Sequence, residues 1–81
     1  MLHYEELARV RRHLLLLGFK PTGTSMSHFH SNGYYVAVAS YGFKMYKEEN
    51  MVKRLILSTT SSHHVNRKLG EIIWAIQCKR T

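Results

Sequence analysis

Leu7, Val10, Leu14 and Leu17 recur at steps of three and four, the period of a helix with one buried stripe. Glu5, Glu6, Arg9, Arg12 and His13 take the other faces, with the glutamates in the first turn, where the helix macrodipole favours negative charge. The spacing predicts a helix over residues 3–17. Gly18 fits the left-handed position just past a helix end, which lets Phe19 fold back onto Leu14, and Pro21 prevents the helix from resuming.

From Thr24 the period changes to two. TSMSHFHS, Asn32-Gly33 and YYVAVAS together signal a hairpin, because Asn-Gly supplies both positive-φ residues of a type I′ turn. A two-residue loop sets Ser31 opposite Tyr34, His30 opposite Tyr35, Phe29 opposite Val36 and His28 opposite Ala37. One face then carries Phe29, Tyr34, Val36 and Val38 and is the expected core side. The other carries Met26, His28, His30, Tyr35, Ala37 and Ala39 and is expected to be partly wet. Gly42 is expected to bend or bulge the second strand, which then continues through FKMYK. Glu48-Glu49-Asn50 then turns the chain, and MVKRLILST follows as another strand.

Residues 62–79 return to the helical period, with Val65, Leu69, Ile72, Ile73 and Ile76 on one stripe and Trp74 near its edge. The pattern therefore predicts one α+β domain over residues 1–81. Its order is helix, three or four antiparallel strands, helix, with both helices on one face of the sheet.

Composition narrows the function classes. A hydrophobic content of 44% is too high for a disordered tail, and 81 residues leave no room for a second core. So small a core also leaves scope for a homodimer. Twelve Lys and Arg against five Glu give a formal charge of +7, which favours an anionic partner. A single cysteine, Cys78, and the lack of a signal-peptide pattern point to a reducing, cytoplasmic setting. The longest apolar run, Leu14 to Leu17, is far shorter than the ~20 residues of a membrane span, so no membrane role is expected.

The densest chemistry lies in LSTTSSHHVNRK, residues 57–68. Ser61 or Ser62 is placed to cap the second helix by accepting a bond from an amide two or three residues on. That alone accounts for a cluster of hydroxyls at a strand–helix boundary. The functional reading adds that helix-start amides favour an anion, with His63 and His64 beside them and Arg67 and Lys68 one turn in. On a helix, His63 and His64 diverge by about 100° and do not readily chelate one ion together. His28 and His30 share a strand face and are the better metal candidates, but a zinc site needs third and fourth ligands that no spacing here compels. No paired carboxylates, oriented nucleophile or glycine-rich phosphate loop appears, so neither catalysis nor a cofactor is expected.

Three resemblances attach to these residues. The helix ending in LLGF, a glycine and S-H-F-H resemble the HicA toxin ribonucleases, which implies a strand histidine, His28 or His30, that cleaves RNA. The element order resembles the double-stranded-RNA-binding domain, whose second helix begins with a basic cluster on phosphates; Arg67 and Lys68 occupy that region. Ser40-Tyr41-Gly, followed by Thr59-Thr60-Ser61, His63 or His64, and Asn66, is similar to short bacteriophage proteins with a T-T-S-x-H-x-N pattern. That likeness implies a phage or mobile-element origin.

The leading expectation is a small, non-enzymatic protein that binds nucleic acid through backbone phosphates. Its contacts are Ser61, Ser62, His63, His64, Arg67 and Lys68 at the helix start, and Lys44, Lys47, Lys53 and Arg54 on the hairpin. Tyr35 and Tyr41 would stack on unpaired bases. The alternative is an inhibitor or adaptor of a host enzyme or defence factor, acting through the face with Met26, His28, Tyr35 and Tyr41, or through Trp74.

Overall fold

The computed structural model describes residues 2–79. The chain runs α1 (Tyr4–Leu16), β1 (Lys20–Pro21), β2 (His28–Ser31), β3 (Tyr34–Ala39), β4 (Gly42–Glu49), β5 (Val52–Thr59) and α2 (Ser62–Lys79). The strands form one antiparallel sheet in chain order, β1-β2-β3-β4-β5, so each pairs with its neighbour in sequence. No described helix is long and apolar enough to cross a membrane.

The first helix ends as its sequence predicts. Gly18 takes φ +94°, its amide donates to the Leu15 carbonyl at 3.1 Å, and the Phe19 amide donates to the Leu14 carbonyl at 2.9 Å. This pair of bonds is a Schellman cap, and it drives Phe19 into the core beside Leu14. The Asn32-Gly33 turn also has both φ angles positive, at 51° and 82°. The β2–β3 register follows from it, with Phe29 opposite Val36 and His30 opposite Tyr35.

Alternation along the strands separates two faces. Phe29, Val36, Val38, Phe43 and Met45 are buried and form one cluster with Leu7, Val10 and Leu14 of α1 and Val65, Leu69 and Ile72 of α2. At ~25 cal/mol per Å² of apolar surface, each of these larger side chains contributes about 1.5–3 kcal/mol, which makes this cluster the main stabilising term. The opposite side carries His28, His30, Tyr35, Ala37, Lys44 and Tyr46, all exposed or half-buried; it is the His/Tyr face.

The sheet has five strands rather than three or four, for two reasons. Pro21, expected only to stop the helix, joins Lys20 in a short edge strand that pairs with His30 and Phe29. Gly42 does not bend one long strand but starts a new one. The chain reverses over Ser40-Tyr41, and Ala39 faces Gly42. Gly42 has φ +152°, and a Cβ there would stand 3.1 Å from the Thr59 carbonyl oxygen, so the tight reversal needs glycine.

Further boundaries differ from expectation. Residues 24–27 are loop: Met26 has φ +57°, and its carbonyl accepts from Arg11 Nε at 2.8 Å. That bond ties the loop to α1, and Met26 packs against the core instead of lying on the His/Tyr face. Glu48 and Glu49 belong to β4, and the turn falls on Asn50-Met51. A bulge separates the pairs Met45–Leu57 and Tyr46–Leu55, so Ile56 and Leu57 both reach the core and Leu55 stays half-exposed on the other side.

Candidate nucleic-acid interface

The start of α2 is built as a cap. The Ser61 hydroxyl accepts from the His64 amide at 3.3 Å, and the Thr59 hydroxyl accepts from the Ser61 amide at 3.0 Å. Ser61 thus occupies one of the amides that an anion would use. His63 and His64 are exposed, with ring centroids 6.4 Å apart and planes 50° from parallel, so they diverge as adjacent helical residues must. Thr59 Oγ1 lies 3.4 Å from His64 Nδ1. One turn on, the Arg67 guanidinium donates to His63 Nε2 at 3.3 Å and remains exposed.

Lys68 does not share that surface. It is half-buried and ion-paired with Glu71 at 3.4 Å, in a shallow groove lined also by Tyr34, Lys47, Arg54 and Ile72. Both hairpin cations in this groove are committed to Glu49, Arg54 at 3.1 Å and Lys47 at 3.8 Å. Lys47 also lies 5.6 Å from the Tyr34 ring centroid. The four hairpin cations therefore divide between the two faces of the sheet. Strand alternation requires this, since Lys53 and Arg54 are adjacent and Lys44 and Lys47 are an odd number apart.

Lys44 and Lys53 lie on the His/Tyr face. Lys44 faces Ala37 on one neighbouring strand and Ser58 on the other. The Lys53 ammonium stands 4.1 Å from the Tyr35 ring centroid, within cation–π range, and His30 flanks the same ring at 6.4 Å. Cross-strand pairing adds Lys20 beside His30 and Tyr46 between Tyr35 and Leu55. Neither Lys20 nor Tyr46 is apparent as a site residue in the sequence. Period-two spacing from Lys44 points to Tyr46, whereas Lys20 is placed only by the unexpected β1. Of the two glutamates in the sheet, Glu48 and Glu49, Glu48 alone shares this side, paired across from Lys53 at one corner. The face is thus cationic and aromatic over its middle.

Two depressions indent this face. One, of about 280 Å³, is lined by Thr22, His28, Tyr35, Ala37, Tyr46 and Lys53 among others. The other, of about 430 Å³, includes Ala37, Ala39, Tyr41, Lys44, Ser58 and Thr60. Tyr41 stands on the β3–β4 turn, 77% exposed, as a wall of the second. Thr59 and Thr60 also line it, which brings the α2 start to the end of the same trough.

His28 and His30 are both exposed on β2, and His28 Nδ1 lies 3.0 Å from the Ser27 hydroxyl. Among the described residues, no three His, Cys, Asp or Glu side chains converge as a metal site. No family model matches the chain, and neither does any curated protein or solved structure. The functional reading therefore rests on the geometry of the molecule.

Proposed function

We propose that this chain binds single-stranded nucleic acid without catalysing a reaction on it, and that the His/Tyr face of the sheet is the binding surface. In this reading both helices cover the opposite face, leaving the His/Tyr face open. Lys20, Lys44 and Lys53 hold backbone phosphates, with Arg67 and the α2 start extending the cationic track. Tyr35, Tyr46 and Tyr41 stack on unpaired bases. The observation that carries the reading is the Lys53 ammonium 4.1 Å over Tyr35, on a face with one carboxylate at its corner. A cation beside an aromatic platform is what a sequence-tolerant single-strand binder requires. A duplex, whose bases are already stacked, gains nothing from such a platform.

Titration of fluorescent single- and double-stranded oligonucleotides over a range of salt tests this. Single strands are expected to bind more tightly, with log K falling linearly in log salt by about 0.7 per phosphate held. Tyr35→Ala is expected to cost about 1–3 kcal/mol of binding with the fold retained. Equal or undetectable binding of both strand types at low salt would discard the reading.

A second reading, an adaptor or inhibitor of a host protein, draws support from Trp74, 69% exposed on α2, and from the outer edge of β5. Retention of a specific protein from a nuclease-treated bacterial lysate, lost in Trp74→Ala, would favour it over the first.

A further inference from the structure

We infer that the His/Tyr face takes two successive nucleotides in a fixed register, one base in each depression, with the phosphate between them on Lys44. This rests on the single-strand reading and specifies its footprint. Ala37 lines both depressions, so they adjoin, and Lys44 is the residue directly across from Ala37 on β4. The cation therefore stands at the junction. Along β3 and β4 the two depressions are offset by two to three residues, which is about 7–10 Å at ~3.3 Å per residue. Stacked bases lie ~3.4 Å apart, so the strand must be unstacked and each base held separately.

The two depressions also differ in chemistry. The first is walled by Tyr35, Tyr46 and His28 and is predominantly aromatic. The second has a floor of small residues, Ala37, Ala39 and Gly42, an exposed aromatic wall in Tyr41, and the hydroxyls of Ser58 and Thr60 at its rim. A floor without large side chains leaves depth for a planar ring, and the hydroxyls offer donors and acceptors to a base edge. The first site is therefore a stacking site, and the second adds hydrogen bonding.

The test is a ligand-length series on the full chain: 5′-phosphorylated mono-, di-, tri- and hexanucleotides of thymidine, and of uridine to register any 2′-hydroxyl preference. Affinity is expected to rise on the order of tenfold from mono- to dinucleotide, then only slowly. Tyr41→Ala, at an exposed turn position, should bring the dinucleotide down to mononucleotide affinity. Ala39→Phe, which fills the second depression, should do the same, with the far-ultraviolet spectrum confirming the fold. Lys44→Ala should weaken the dinucleotide and reduce its salt slope by about 0.7. Equal affinity for mono- and dinucleotide, or variants without effect, would overturn the two-base register if hexanucleotides still bind. Failure of every length would overturn the single-strand reading with it.

Discussion

At the scale of single residues, the turns show where this chain stores strain. Asn50 and Met51 join β4 to β5 with φ of 51° and 67°, the same doubly left-handed geometry that Asn32-Gly33 adopts between β2 and β3. Asparagine tolerates that conformation, but methionine has a Cβ that crowds the following carbonyl. Met51 is 95% exposed, so its side chain contributes little packing to offset the strain. Met51→Gly turns the loop into Asn-Gly. Relief of the strain exceeds the extra flexibility that glycine gives the unfolded chain. The expected net gain is about 0.5–1 kcal/mol, which for a domain this size raises Tm by about 2–8 °C. Thermal unfolding followed by circular dichroism measures it, and an unchanged or lower Tm would count against the turn geometry.

At the scale of elements, the parts legible in the sequence were those fixed by local rules. The α1 end followed from Gly18 and Phe19, the β2–β3 register from Asn-Gly, and the α2 cap from Ser61, one of the two serines at that boundary. Features set by distant partners were not legible. β1 is two residues long, contains proline, and exists only because β2 returns beside it. The β3–β4 reversal over Ser40-Tyr41 lacks a turn glycine at either central position, and its tight contact is with Thr59, on the far side of β4. For the candidate site, Tyr35, Tyr41, Lys44 and Lys53 fall on the trough, whereas Lys47 and Arg54 face the other side, because neighbouring strand residues alternate, and Lys68 of α2 lies in the groove beside them. One link between elements has no local signal at all. His13 Nδ1–H donates to Asn66 Oδ1 at 2.8 Å, joining α1 to α2 across 53 residues in a part-buried setting. A double-mutant cycle of His13→Ala and Asn66→Ala is expected to yield a coupling of about 0.5–1.5 kcal/mol by urea denaturation. Additive effects would mean that the helices are held by their apolar stripes alone.

At the scale of the whole molecule, the two edges of the sheet are unequal. β1 presents two residues, one of them a proline that cannot donate to a further strand. β5 is eight residues long, is the last strand in the order, and exposes Val52 and Leu55 along with Lys53 and Arg54. A long apolar edge of this kind is a template for pairing with another chain, and lysine and arginine on it are the usual safeguard. Lys53 and Arg54 point to opposite sides of the strand, so between them they guard both faces of that edge. The +7 net charge of the chain adds a general repulsion between copies, but it is screened within ~8 Å at physiological ionic strength and does not protect the edge at contact. Replacing both cations with threonine keeps strand propensity and removes the local guard. The doubly substituted chain is expected to fold with unchanged secondary structure and to associate more strongly with rising concentration than the unaltered chain. Multi-angle light scattering at several concentrations and at high salt, where general repulsion is screened for both, isolates the effect. If the two chains keep the same mass distribution there, protection of the β5 edge does not depend on those cations and must come from the bulge at Ile56, which twists the edge away from a flat partner.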